Sequence, residues 1–249
     1  MGNTEKFTGK AEVYAQFRPD YPETFVRDLI LENHLSPSSV VADIGSGTGI
    51  LTGQLLNQGL NVIAVEPNAE MRQIAESAFG SNPLFTSVPA TAEQTTLKTG
   101  SVDLVTVAQA FHWFNPEQFK EECRRILKPD GKVVLIWNSR VPHAPLIRET
   151  ASVCRKFCPV FHGFSGGTRE DPAPFQTFFR NGRFAVRKYD HPLSYSLNAF
   201  LGRHLSASYA PKGQKGQPYI DALTQIFQKH QKRGRVRFPN VTCSYSGRV

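Results

Sequence analysis

The most constraining stretch of this chain is Asp43-Ile44-Gly45-Ser46-Gly47-Thr48-Gly49, set between the apolar run Val40-Val41-Ala42 and the helical pattern of Ile50, Leu51, Leu55 and Leu56. A strand, a glycine loop and a helix start therefore fall within about fifteen residues, the local grammar of a parallel α/β sheet. Alternating glycines let the backbone pass close under a ligand, because they carry no Cβ and accept positive φ. The first amides of the following helix would face any oxygen-bearing anion placed there. A second apolar strand, Val62-Ile63-Ala64-Val65, then delivers Glu66, and an acid at the end of strand two is placed to grip ribose hydroxyls.

The residues around the loop separate two kinds of nucleoside ligand. A dinucleotide fingerprint has the spacing G-x-G-x-x-G and meets a pyrophosphate. Here the spacing is G-x-G-x-G, Ile50 stands where the third glycine would be, and Asp43 would set a negative charge against that pyrophosphate. A zwitterionic amino-acid tail suits the loop better, with its ammonium toward Asp43, directly or through water, and its carboxylate on the loop amides. A ribose joined to an amino acid is S-adenosylmethionine.

Similar strand and helix signals continue down the chain. Pro22 opens a helix with Phe25, Leu29 and Ile30 at helical spacing. Strands are expected at about 40–44, 61–66, Leu84-Phe85, 102–107 and 132–137, with helices from Asn68 and from Asn115-Pro116 to Leu127. Pro129-Asp130-Gly131 reads as a turn before strand five. Beyond Trp137 the periodicity weakens. Helices are expected near 145–157, 197–209 and 218–231, strands near 184–189 and 235–245, and loops over 163–174 and 211–218.

These motifs in this order resemble the class I S-adenosylmethionine-dependent methyltransferases. The likeness runs through residues 41–49, Val65-Glu66-Pro67-Asn68 with Met71, Ala92-Glu93, Ala110-Phe111-His112-Trp113-Phe114 and Leu127-Lys128-Pro129-Asp130-Gly131-Lys132. Tyr14 with Phe17-Arg18-Pro19-Asp20-Tyr21-Pro22 is similar to the arm of the small-molecule branch that includes trans-aconitate methyltransferase-like proteins. The resemblance covers roughly residues 10–140. It implies a Rossmann-like, seven-stranded, mostly parallel sheet of order 3-2-1-4-5-7-6 with helices on both faces. The chain is then one domain: an N-terminal arm and helix (1–35), a cofactor-binding core (36–138), and a helical insertion plus the last two strands (139–249).

The resemblance also implies roles. Gly45, Ser46, Gly47 and Gly49 would line the methionine part of S-adenosylmethionine, Asp43 its ammonium, and Glu66 the ribose. Pro67 and Met71 would flank the adenine, although Met71 reads equally as core packing on its helix. Ala92 and Glu93 would close the other adenine edge, and Gln109 would border the cofactor from the exit of strand four. Tyr14 and Trp113 are candidates to face the sulfonium, or to form an apolar lid. His112 is the candidate base for an acceptor hydroxyl or amine, or else a packed histidine; a carboxylate acceptor needs no base. Arg18, and after it Arg140 or Arg203, would orient such a carboxylate, with Arg18 also readable as a pin for the arm.

Composition narrows the partners. The exit of strand four reads Gln109-Ala110-Phe111-His112, not the Asn/Asp-Pro-Pro-aromatic run of amino-directed DNA and glutamine methyltransferases. A small-molecule acceptor methylated at oxygen is therefore favoured over one methylated at nitrogen or carbon. Net charge is +8, divided as −5 over residues 1–139 and +13 over 140–249. The peak at Lys229–Arg237 carries no nucleic-acid motif and reads as a solvated helix end and edge strand. No apolar run approaches the ~18 residues of a membrane helix, and the N-terminus has no apolar signal region. Four cysteines lack metal or redox spacing, so no metal is expected. A cytoplasmic monomer or homodimer acting on a small molecule is the resulting expectation. The alternatives are a non-catalytic cofactor-binding scaffold using its basic half for nucleic acid or protein, and a nucleotide-dependent oxidoreductase.

Overall fold

A computed structural model describes residues 18–164, 173–207, 209–211 and 216–249. Five parallel strands come first: β1 (Val40–Ile44), β2 (Asn61–Val65), β3 (Phe85–Val88), β4 (Val102–Ala108) and β5 (Leu127–Arg140). Two later strands, β6 (Ala185–Asp190) and β9 (Asn240–Gly247), complete the sheet in the order β3-β2-β1-β4-β5-β9-β6. The last strand in sequence slots antiparallel between β5 and β6, which is the expected order. A separate two-stranded ribbon pairs β7 (Leu193–Tyr195) with β8 (Val236–Phe238).

Alternation along the central strands divides the apolar residues between two faces. Val41, Leu104, Val134 and Ile136 pack with Phe25 and Leu29 of α1 (Glu23–Glu32) and Leu51 and Leu55 of α2 (Ile50–Leu56). Ala42, Val105, Val133 and Leu135 face the other way. They meet Phe119 of α4 (Pro116–Ile126) and the aromatic group Phe111, Trp137, Phe175, Phe178 and Tyr245. The remaining helix of the parallel half, α3 (Ala69–Phe79), starts at an Asn68 cap whose side chain accepts from the Met71 amide at 3.0 Å. A third apolar cluster belongs to the insertion: α5 (Pro145–Phe157), α7 (Leu197–Leu205) and α8 (Gly216–His230) close over Phe200, Tyr219, Leu223 and Phe238.

The departures from expectation have local causes. Pro129-Asp130-Gly131 does not precede strand five but lies inside it: Val102 pairs with Leu127 and Leu104 with Lys132, so the turn residues are extruded as a bulge. The single strand expected near 235–245 is two, β8 and β9, divided at Pro239, which has no amide to continue the ladder. The helix expected over 197–209 stops at Leu205, and α8 starts at Gly216, inside the span expected to be loop. A six-residue helix, α6 (Ala173–Phe178), begins inside the other expected loop and β7 was not anticipated; both are too short to carry periodicity. All four cysteines are buried free thiols. Among the described residues no helix is long and apolar enough to cross a membrane.

Candidate functional site

The carboxyl ends of β1, β2 and β4 meet at the glycine loop. Gly45 and Ser46 amides both donate to the Val65 carbonyl, at 2.8 and 3.2 Å, which stitches the loop to the end of β2. The Gly47 amide then donates to Glu66 Oε2 at 2.9 Å, while Glu66 Oε1 accepts from the Asn68 amide at 2.8 Å. One carboxylate thus joins the loop to the start of α3, and burial pushes its pKa up against the pull of those two amides. Gly45 has φ 67°, and a Cβ there would stand 2.6 Å from the Ala110 Cβ. Only glycine fits that turn.

Asp43 lies beneath the loop. It is 1% exposed, and its two oxygens accept from Thr52 Oγ1 at 2.7 Å and Thr106 Oγ1 at 2.9 Å. Burial raises its pKa to about 6; the hydroxyl hydrogen bonds oppose this and the nearby Glu66 adds to it. The opposite wall is strained. Gln109, at the end of β4, has φ 62°, a conformation uncommon outside glycine and concentrated at functional sites. Its amide donates to the Ile136 carbonyl at 2.9 Å and its Nε2 donates to the Asn138 carbonyl at 3.3 Å.

These walls enclose a cavity of about 230 Å³. Of the residues singled out in the sequence, Gly45, Gly47, Glu66, Pro67, Met71, Ala92, Glu93, Gln109 and Trp113 line it. Asp43, Ser46 and Gly49 do not: Asp43 supports the loop from below, and Gly49 caps α2 at φ 81°, where a Cβ would stand 2.8 Å from the Phe79 ring. The Gly45, Ser46, Gly47 and Gly49 amides already donate to Val65, Glu66 and Ser46. Because α2 also has only seven residues, the cradle rests on the shape of the loop and on Glu66 rather than on a helix dipole or on the open loop amides expected for a carboxylate. Asn68, Thr91, Ala108, Ala110 and Phe114 also line the cavity, although sequence reasoning assigned none of them a part in the site. Glu93 additionally fixes the entry to α4, accepting from the Asn115 amide at 2.9 Å.

Phe114 also borders a second, larger chamber of about 850 Å³ between the end of β5 and helices α5 and α6. His112 lies on this side, exposed, with its ring 4.5 Å from that of Trp113. The walls are aromatic (Phe111, Trp137, Phe175, Phe178) and basic (Lys120, Arg140, Arg148, Arg155), with Glu117 the acid among the lining residues. Sequence reasoning anticipated His112 and Arg140 there and missed the rest. Tyr14 falls outside the described residues. Arg18 is half-buried, and its charge is felt at Arg140 and Arg203.

The Methyltransf_11 methyltransferase-domain family matches residues 42–135, from β1 into β5. A relative from Schizosaccharomyces pombe, named an uncharacterized methyltransferase, is 34% identical over 238 residues, covering 94% of this chain and 92% of its own. This chain belongs to the methyltransferase family. A Mycobacterium tuberculosis relative, also named an uncharacterized methyltransferase, is 36% identical over 147 residues, and the match spans 59% of this chain and 58% of that one.

Solved structures agree on the fold. A candidate type II methyltransferase from Anaeromyxobacter dehalogenans superposes with TM-score 0.62 at 23% identity, covering 93% of this chain and 98% of its own. The phosphoethanolamine N-methyltransferase 2 of Haemonchus contortus, solved with phosphomonomethylethanolamine and S-adenosylhomocysteine, gives TM-score 0.57 at 13% identity, covering 100% of this chain and 60% of its own. The sheet order and flanking helices are those of the Rossmann-like methyltransferase fold.

Proposed function

We propose that this methyltransferase takes its methyl group from S-adenosylmethionine and delivers it to an oxygen of a small-molecule acceptor. The observation that carries the reading is the pair of cavities: a small one lined by Gly45, Gly47, Glu66 and Met71, and a large basic-aromatic one beside it, with Phe114 bordering both. The residues present fit the cofactor. Glu66 keeps lone pairs beyond those used by its two amide bonds, enough to accept from ribose hydroxyls. Pro67, Met71 and Ala92 offer apolar surface for a base, and the thioether is a soft partner for a ring. Gly45 and Gly47 bring bare backbone to the methionine side.

When bound, the sulfonium supplies an electrophilic methyl group. The chain's own task is to hold an acceptor atom in line at about 3–3.5 Å and to keep water out. Trp113 and Phe114 supply the apolar border, and an aromatic face favours a nearby cation by roughly 0.5–2 kcal/mol when desolvated. For a hydroxyl acceptor His112 receives the proton; a carboxylate acceptor arrives ionised and leaves His112 without that role. The basic chamber favours an acidic acceptor. The basic segment from the last turn of α8 onward is partly spent on structure: Lys229 pairs with Glu149 at 2.9 Å, and Arg235 donates to Ser194 Oγ at 2.8 Å and the Ser194 carbonyl at 2.7 Å.

Calorimetric titration tests the proposal. S-adenosylmethionine is expected to bind in the micromolar range and NADH not at all. Binding of NADH alone would return the site to a nucleotide-dependent oxidoreductase. Cofactor binding without release of S-adenosylhomocysteine across a library of acidic metabolites would favour the scaffold reading.

A further inference from the structure

Where β5 ends, cations and hydrogen-bond donors converge with no acid opposite them among the described residues. Arg140 closes β5 and stands directly across the antiparallel ladder from Asn240, so the two side chains leave the same face of the sheet. Arg203 enters from α7 and Tyr195 from the end of β7. The Phe238 ring links them, with the guanidinium carbons of Arg140 and Arg203 at 5.8 and 5.4 Å from its centroid. Arg203 also lies 5.9 Å from the Tyr195 ring, and Arg140 4.0 Å from the Phe164 ring.

The cluster is buried and unsatisfied. Arg203 is 4% exposed and Asn240 3%. Among the described residues Arg140 Nε, Arg203 Nε and Nη1, Tyr195 Oη and both amide atoms of Asn240 have no hydrogen-bond partner. Ring faces offset part of the cost of burying two guanidiniums, but they do not satisfy N–H groups. Burial, and then repulsion from Arg140, drops the Arg203 pKa to about 9, and Arg18 adds a further positive charge. His204 contributes none: burial holds its pKa near 3, and its Nδ1 is bonded to the Phe200 carbonyl at 2.7 Å. Asp20 is the acid whose charge is felt at Tyr195, but it is exposed and faces His191 at 3.4 Å.

A set of donors carrying at least two positive charges is complementary to a compact oxyanion. Arg140 also lines the 850 Å³ chamber, so the cluster has a route to ligand. We propose that Arg140, Arg203, Tyr195 and Asn240 form an anion-anchoring subsite that grips a dianionic head, a phosphate monoester or a pair of carboxylates, at the end of the acceptor chamber. The further step, that the same molecule presents its methylated atom to the cofactor, rests on the function proposed above.

The test uses cofactor-free full-length protein, titrated by calorimetry and thermal melting with inorganic phosphate, succinate and chloride at matched ionic strength. Phosphate or succinate is expected to bind below millimolar and raise the melting temperature, with chloride inert. Phosphate alone would identify a monoester head, succinate alone a dicarboxylate. Arg203→Met is expected to weaken the anion at least tenfold while raising the melting temperature of ligand-free protein, because an uncompensated charge has gone. Should that variant not fold, Tyr195→Phe removes one donor and is expected to weaken binding about threefold or more. No anion effect beyond chloride, or wild-type affinity in these variants, overturns the subsite. Anion binding without S-adenosylmethionine binding would remove the methyl-transfer reading and leave the subsite standing; the converse would remove the subsite alone.

Discussion

The two cavities are built on opposite principles. Around the small one the protein satisfies itself: Glu66 is bonded to two amides, Asp43 to two hydroxyls, and the loop amides of Gly45 and Ser46 to Val65. At the edge of the large one, behind Arg140 of its lining, it leaves Arg140, Arg203, Tyr195 and Asn240 with polar atoms unmatched among the described residues. A self-satisfied cradle is pre-organised and keeps its shape without ligand, which suits a cofactor shared by every turnover. An unsatisfied cluster stores a deficit that a particular ligand removes, and this is a means of selecting that ligand.

The strongest way to break the comparison is to crowd the cradle. Gly45→Ala puts a side chain at φ 67° and a Cβ 2.6 Å from that of Ala110. A left-handed backbone together with overpacking is expected to cost about 3 kcal/mol, read from chemical denaturation. A loss below about 1 kcal/mol would mean that the loop relaxes and is not rigidly pre-formed.

The effect of Asp43 is comparable. Its folded pKa of about 6 exceeds the ordinary value of 3.8, so the folded protein holds this proton more tightly than the unfolded chain. The stability it contributes is therefore complete below pH 4 and is lost as pH rises through 6. Relative to Asp43→Asn, wild-type stability is expected to fall by up to about 3 kcal/mol over that window. A flat difference between the two proteins from pH 4 to 7 would show that the carboxylate is ionised throughout.

Glu66→Ala is a probe of binding more than of folding. Removing charged hydrogen bonds to the ribose is expected to weaken S-adenosylmethionine at least tenfold, on the order of 1.5–3 kcal/mol. Unchanged affinity in calorimetry would reduce Glu66 to a tether between Gly47 and Asn68.

The cradle was legible in the sequence because its parts are local. Loop, strand and acid lie within 24 positions, Asp43 to Glu66, and the φ requirement at Gly45 is written into the residue itself. What the motif did not reveal was depth: Asp43 faces Thr52 and Thr106 beneath the loop, a consequence of sheet alternation and of α2 crossing under it. The chamber was nearly illegible. Its walls come from Phe111 to Phe178, on elements as short as α6, and Arg203 reads in sequence as an ordinary basic residue in a last helical turn. Arg140 and Arg203 were recognisable as candidate carboxylate binders. Their convergence on Phe238, and the pairing of Arg140 with Asn240, depend on the antiparallel return of β9 and follow from no spacing.

The smallest effect separates buried charge from charge in general. Arg148 lines the same chamber as Arg140 but is exposed to solvent. If positive potential alone drew the anion in, neutralising any arginine of the chamber would weaken it similarly. Water screens an exposed charge, so such pairs are worth roughly 0–1 kcal/mol. Arg148→Gln is therefore expected to change phosphate or succinate affinity by less than about threefold, and that difference should shrink as salt rises. An effect at Arg148 equal to that at Arg203, measured in the same titration, would show that the chamber attracts anions by its overall field and that the unmatched cluster at the end of β5 has no special part in recognition.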